Sequence, residues 1–542
     1  MNLNFLFGNS MTSKNGFTLP LIVFCFFSIQ INAQNIFQTK YYLADSIYYS
    51  TVKTIEKSPG TYLNMFINGT ISSPFSQIHL TRINSSGNLQ SYKRHYYSVP
   101  VSIFSDYKLL PGGNMAICGQ CSGMSGSLLL FDSSGSFLSG KIYTGGLSIN
   151  LLSVTHTGNH HLLLSGGQNQ PSNAVIIETD TSGNLLSESE FTINTHATTF
   201  RCGIELNNRE RLFAGIVYSP TNSMYKTQLA LLKTDSTGNP VWGLQCGDPA
   251  ITFSPQNVFE LSDGSIIVTG TMTPQGTPYP SAFIAKFSSG GHSLWVRKVV
   301  TPNTFYYKDA CLKHNDEIAM TGFYMPSSGN EFAVIHISDS TGNLTSTKII
   351  SEQNYGLDGA AINSCSDGGL FIAASTPVGN GYYYRYLLKT DSLLNISCNA
   401  ADITFSQAPV PVYDSLGYAM TSSTISVSNI PSSDLTETLP APIEASVCDP
   451  NTIADISFQQ NKFSVSLSEN TLILFLQDTN FETAVVSVLD ISGRIILEQA
   501  INTAKGNEEF RIGLPTLPGG MYLVRLRSEL KSATEKLFIG KN

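Results

Sequence analysis

Leu229 to Trp242, LALLKTDSTGNPVW, reads as two β-strands joined by a tight turn. Apolar residues run into Asp235, and a second strand leaves after Asn239. An Asp at the first position of a type I turn accepts hydrogen bonds from backbone N–H groups further on. A Gly at the fourth position enters the left-handed region without a Cβ penalty. The stretch therefore predicts a hairpin with a short bulged turn. Matching turn glycines stand at Gly87, Gly135, Gly183, Gly238, Gly290 and Gly342, with Leu394 at the seventh place in TDSLLN. The intervals are 48, 48, 55, 52, 52 and 52 residues. One D-x-x-G carries almost no information; seven at this spacing mark a repeat array.

Each copy runs alike. An apolar strand leads to a turn such as Ser262-Asp263-Gly264 or Ser366-Asp367-Gly368, and a second strand of small residues ends at glycine, as in NMAICG and SIIVTG. A variable loop, a third strand, the D-x-x-G turn and a fourth strand follow. Four strands in about 50 residues is the size of one propeller blade. The seventh copy stops at NISC, before its fourth strand, and an unused strand at Phe37 to Leu43 fills that place and closes the ring. The expected fold is all-β. A seven-bladed β-propeller spans 34–398, an extended Ser/Thr/Pro-rich connector (399–455) lies along its wall, and a small antiparallel β-sandwich spans 456–542.

The chain has 542 residues, 13% of them charged, and a net charge of −8. That length calls for two or three units, and no basic patch points to a nucleic-acid partner. Lys14 precedes an apolar run from Phe17 to Ile29, shorter than a membrane span. The run reads as a signal peptide (1–33) cleaved between Ala33 and Gln34, with Met1 or Met11 as its start. The mature form has no other stretch that could cross a bilayer as a helix, and it is expected to be a monomer.

Export permits disulfides. Eight cysteines follow the signal, and Cys398 with Cys448 bracket the connector as the candidate pair. Cys118 and Cys121 have a metal-knuckle spacing without a second pair. On a strand, residues three apart also face opposite ways. The reading therefore calls for no metal and no cofactor.

Three motifs near the C-terminus carry a specific likeness. They are Val488-Leu489-Asp490-Ile491-Ser492-Gly493-Arg494, the stretch LPTLPGGMYLVR from Leu514 to Arg525, and the ending Lys536-Leu537-Phe538-Ile539. This segment resembles the type A-like C-terminal sorting domain of the type IX secretion system of Bacteroidetes. The resemblance implies the secretion machinery as a partner, passage through both membranes, and a protein that is secreted or held at the cell surface. The repeats resemble those of secreted Bacteroidetes propeller proteins that carry this domain.

The loops joining second to third strands lie on one face of such a disc, and their composition is rich in Tyr, Ser, Gly and Asn. Tyr218, Tyr225, Tyr279, Tyr324 and Tyr383 are the candidate ligand contacts there, because a tyrosine presents a stiff amphipathic ring. Local packing of the same rings is the plainer reading. Glu331 and Asp248 are the nearest carboxylates, and no pair of the kind a glycosidase needs can be assigned by spacing, so no catalytic residue is named. Thr-Asp235-Ser-Thr-Gly238 differs from a sialidase Asp box by one residue of spacing. His160 and His161 are expected on a strand, facing opposite ways. Two readings stand: a non-catalytic propeller that binds glycan or protein, or an exported carbohydrate-active hydrolase or lyase with its site in the channel.

Overall fold

The computed structural model describes residues 36–42, 49–69, 76–96, 101–121, 125–145, 148–169, 173–219, 226–326, 329, 331–352, 356–377, 383–421, 424–430, 436–437, 443–446, 463–468, 471–479, 483–490, 494–502, 506–518, 520–528 and 532–539. The expected cleavage site at Ala33 and Gln34 lies outside them, as do Tyr225 and Cys448.

Strands dominate, with single 3-10 turns at Pro111–Gly113 and His314–Asp316. The first sheet is built from Tyr49–Ser58, Thr61–Gly69, Ser76–Asn84 and Leu89–Tyr96, each antiparallel to the one before. Five more sheets repeat that order within 101–144, 148–193, 198–247, 251–300 and 304–350. The seventh takes Asp358–Ser364, Leu370–Pro377 and Tyr383–Lys389 from the last repeat and Phe37–Tyr42 from the N-terminal end. Phe37 pairs with Lys389 and Tyr41 with Arg385, so the expected closing strand occupies its expected place.

Packing shows why the sheets form a cycle. Each neighbouring pair shares one apolar cluster. The last of these joins the seventh sheet to the first: Phe37 lies 5.7 Å from the Tyr62 ring and 6.2 Å from Phe371. A sheet buried on both faces needs apolar side chains on both, and the second strands, such as Met115–Cys121 and Ile266–Pro274, are buried along nearly their whole length. Cys118 and Cys121 point into different clusters, one shared with the third sheet and one with the first.

The repeating turn has the chemistry its sequence implies. Asp235 Oδ1 accepts the N–H groups of Thr237 and Asn239, each at 2.9 Å. The Thr237 hydroxyl donates to the same oxygen, and these bonds hold the Asp235 carboxyl down at about 2. Asn84, Asp132, Asp180, Asp339 and Asp391 accept in the same pattern. One position needs correction. In the fifth sheet the turn begins at Ser288, and Gly291 rather than Gly290 takes the positive φ of 87°. Leu394 adopts φ 62° at the seventh turn, where a side chain is strained; burial of that side chain among the sixth and seventh sheets compensates. His160 also departs from its expectation, since it sits in a turn at φ 61° and the strand begins at His161.

The Ser/Thr/Pro-rich stretch does more than connect. It returns around the ring and adds a fifth, outermost strand to every sheet, in the reverse of chain order. Ala400–Asp402 joins the sixth sheet, Ser406–Pro409 the fifth, Tyr413–Leu416 the fourth and Tyr418–Thr421 the third. Ser426–Ile430 joins the second, Thr436–Glu437 the first and Ile443–Ser446 the seventh. Between stations, and at the end of one of them, apolar side chains drop into the seams between sheets. Phe405 packs between the fifth and sixth, Val410 between the fourth and fifth, Ile425 between the second and third, and Ile430 between the first and second. Pro409 is tolerated because an edge strand can turn a missing N–H outward.

At the C-terminal end, Phe463–Ser468, Thr471–Thr479 and Gly506–Gly513 form one antiparallel sheet, and Thr483–Leu489, Ile495–Asn502, Gly520–Ser528 and Ser532–Ile539 form another. Leu472, Leu474 and Ile512 of the first share a core with Val486, Val488 and Val524 of the second. Asp490 Oδ1 accepts the Arg494 N–H at 3.0 Å, which repeats the carboxylate-held turn.

Candidate functional site

The first strand of every ring sheet lines a central channel with a cavity of about 710 Å³. All seven of these strands carry a β-bulge at the same height, between Thr51 and Lys53 in the first sheet and between Gly359 and Ala361 in the seventh. In five sheets a glycine within the second strand makes room for it, and the strand continues past the glycine where the sequence suggested it would end. A Cβ at Gly166, Gly215 or Gly322 would stand 1.9, 2.0 or 1.7 Å from a carbonyl oxygen of the bulged strand. The residues just after the bulges are thus structural equivalents: Lys53, Asp106, Ser153, Cys202, Asn257, Asp309 and Ala361.

Two carboxylates on this ring use one device. Asp106 Oδ2 accepts the Val154 N–H of the next sheet at 3.1 Å, and Asp309 Oδ2 accepts the Ile362 N–H of its next sheet at 3.0 Å. Asp106 also takes the Ser153 hydroxyl at 3.2 Å. Asp309 takes Asn257 Nδ2 at 3.0 Å and Lys53 Nζ at 2.5 Å. Lys53 comes from the first sheet and Asp309 from the sixth. The intervening sheet offers Ala361 at this level, a side chain small enough to let the lysine span. Burial opposes the Lys53 charge, but Asp309 and then Asp106 push its pKa above the ordinary lysine range. Burial pushes the Asp106 carboxyl up. The Cys202 thiol on the same ring is pushed up to about 12 by burial, so it is no nucleophile at neutral pH.

A second acidic feature lies where the sixth and seventh sheets meet. Lys308 Nζ bonds Asp358, and the other Asp358 oxygen is buried without a partner. Burial and then the Asp358 charge raise the Glu331 carboxyl. Sequence spacing could not pair these groups, since they sit 27 residues apart on different sheets. Among the described residues, no three His, Cys, Asp or Glu side chains cluster as a metal site.

The tyrosine candidates differ among themselves. Tyr218 is the penultimate residue of the second strand of the fourth sheet, half-buried, with its N–H on Ala197 O at 2.8 Å. Tyr279 lies in the corresponding loop of the fifth sheet, 51% exposed. Tyr324 is the penultimate residue of the second strand of the sixth sheet. Its ring packs edge-on at 5.2 Å against Phe405 of the outer belt, and its hydroxyl accepts Asn303 Nδ2 at 3.3 Å. Tyr383 opens the third strand of the seventh sheet opposite Pro377. Tyr218, Tyr279 and Tyr324 thus stand at the same end of three consecutive sheets, but Tyr279 alone of the three is exposed.

A cyclic array of such sheets around a channel is a β-propeller fold. Residues 459–540 match the family described as a secretion system C-terminal sorting domain. This end of the chain is a type IX secretion sorting domain, which implies an origin in Bacteroidetes, and the protein is exported to the cell surface or secreted. No curated protein sequence matches the chain. Among solved structures it is similar to the β-propeller domain of the trilobed protease from Pyrococcus furiosus, at 12% identity and TM-score 0.37, covering 63% of this chain and 94% of that one. The acylaminoacyl peptidase of Pyrococcus horikoshii is similar at 8% identity and TM-score 0.36, over 80% of this chain and 58% of that one. A GH43 β-1,3-galactosidase is similar at 11% identity and TM-score 0.28, over 63% of this chain and 90% of that one. Likenesses this distant assign no activity.

Replacing Lys53 with Met removes the cation from the buried Asp309 and should cost about 3–5 kcal/mol of unfolding free energy, read by urea titration. A loss below about 1 kcal/mol would mean that Asn257 and the Ile362 N–H suffice to hold the carboxylate.

Proposed function

We propose that this is an exported seven-bladed β-propeller that binds glycan or protein without transforming it, and that a C-terminal β-sandwich directs its transit through the type IX machinery. The exposed ring of Tyr279 carries the reading. It sits in a short turn braced by the Thr277 hydroxyl on Pro274 O at 2.9 Å and by Lys226 Nζ on Gln275 Oε1 at 2.8 Å. A pre-set aromatic loses little entropy on contact, which suits it to recognition. Tyr218 and Tyr225 of the preceding repeat and Tyr324 and Tyr383 of the two that follow complete the proposed face. Tyr324 acts there as a support that fixes the loop end. The channel acids favour binding over hydrolysis, because Asp106 and Asp309 are each committed to wall N–H groups. The hydrolase or lyase reading draws support from one place, the Glu331 and Asp358 carboxyls with their raised pKa values.

The test is an array of glycans and surface proteins probed with the full chain. Tyr279→Ala should weaken the strongest interaction at least fivefold and leave the melting temperature within about 2 °C, since the residue is a surface one. Unchanged binding contradicts the tyrosine face. Release of cleaved product from a bound glycan, abolished by Glu331→Gln, would move the reading to the enzyme.

We further propose that Cys398 pairs with Cys448 and so closes the outer belt on itself. Cys398 is disulfide-bonded, whereas the six other described cysteines are free. Its backbone is clamped by Gln38, which accepts its N–H at 2.9 Å and donates to its carbonyl at 3.1 Å. The far end of the belt arrives at the same strand, with Ser446 opposite Thr39. Closing a loop of about 50 residues contributes about 4 kcal/mol through the unfolded state. Peptide mapping without reductant should recover the two cysteines linked; a free Cys448 thiol in the folded protein would refute the pairing.

A further inference from the structure

Among the described residues, the channel holds one half-buried cation without an ion pair. Arg201 is the bulged residue of the fourth sheet and faces the cavity, flanked at the equivalent positions by Leu152 and Gln256. The other channel cations differ from it, for Lys53 is paired with Asp309, Lys308 with Asp358, and Lys108 is exposed to water. Among the described residues Arg201 has no ion pair, and its Nε is buried with no hydrogen-bond partner. Water can satisfy a hydroxyl or an amide, but it does not neutralise a guanidinium. Arg201 is half-buried, so its guanidinium is partly desolvated and gains from an anion that reaches it in the channel. The surrounding protein makes the contrast sharper, because the chain as a whole carries a net charge of −8.

We propose that the channel binds a carboxylated, hydroxyl-rich ligand, the acidic end of a saccharide, with Arg201 as its anion-binding residue. A guanidinium presents two parallel N–H donors that match a carboxylate. Gln256, at the equivalent bulged position of the next sheet, supplies the mixed donor and acceptor that sugar hydroxyls require. The 710 Å³ of the cavity lies within the usual range for small-molecule sites and admits a short oligosaccharide. This site is separate from the tyrosine face and needs no contribution from it.

The full chain is titrated calorimetrically with tri-galacturonic acid, with the neutral galactose trisaccharide and with sodium sulfate. The acidic trisaccharide should bind, weaken as salt is raised, and outcompete both other probes by at least tenfold. Arg201→Gln should lose at least tenfold in affinity with its circular dichroism unchanged, and Arg201→Lys should lose less. Tyr279→Ala should leave this affinity as it is, which separates the channel site from the tyrosine face. Equal binding of the neutral trisaccharide, or undiminished binding by Arg201→Gln, overturns the proposal. Sulfate binding as tightly as the acidic sugar would reduce the channel to an inorganic-anion site and overturn the saccharide assignment. Should the Gln variant fail to fold, undiminished affinity in Arg201→Lys overturns the bidentate role by itself.

Discussion

An unpaired sheet edge is the constraint on which this structure turns. A four-stranded sheet can bury its two faces against neighbours, yet its outer strand still presents a row of free N–H and C=O groups that could pair with another chain. The ring settles the faces: seven shared cores join seven sheets, and Phe37, set among Tyr62 and Phe371, seals the last seam. The belt then settles the edges. Each station is two to five residues long, so the new edge it creates is short and interrupted. Charged and polar side chains along it, such as Asp402 on Lys348 at 2.7 Å and Asn429 on Lys141 at 2.8 Å, tie it to the sheet beneath.

The same economy of repetition builds the channel. One bulge recurs in each sheet, faced by a glycine in five of them and by Phe66 and Ala374 in the first and seventh, and turns consecutive side chains toward the axis. Chemistry then diverges on an invariant backbone: a lysine, two aspartates, an asparagine, a serine, a cysteine and an alanine occupy one level. Asp106 and Asp309 bridge to the next sheet by the same N–H contact, which shows that the carboxylates belong to the wall as well as to the cavity. Lys53 reaches across a sheet whose equivalent residue is alanine, so the ion pair with Asp309 links first and sixth sheets directly.

Much of the ring was legible in the sequence, because its signals are local. Asp at one place and Gly three later fix a turn through bonds that span four residues, and the copies can be counted. The register failed where Ser288 replaced aspartate and two glycines stood side by side. The belt was not legible as sheet. Its strands are too short to alternate, and its apolar anchors, Phe405, Val410, Ile425 and Ile430, are spaced by the width of a blade seam rather than by any strand period. The channel was legible only as a place. Cys202, Asn257 and Asp309 lie dozens of residues apart, and it takes seven superposed bulges to reveal that they share a level. The tyrosines show what composition leaves out: it groups Tyr279 with Tyr324, yet one is exposed and the other is held by Phe405 and Asn303.

A protein delivered to the cell surface must hold its fold without renewal, and a ring whose first strand is trapped between its last repeat and its belt is suited to that. Phe37–Tyr42 is paired on one side by Tyr383–Lys389 and on the other by Ile443–Ser446. Hydrogen exchange of the folded full chain, read by mass spectrometry over 400–446, tests this account most directly. Paired amides at Ser406–Pro409, Tyr413–Leu416, Tyr418–Thr421 and Ser426–Ile430 should resist exchange for hours, as the fourth strands beneath them do. Exchange across the whole stretch at the rate of a free peptide, with the ring sheets still protected, would contradict it.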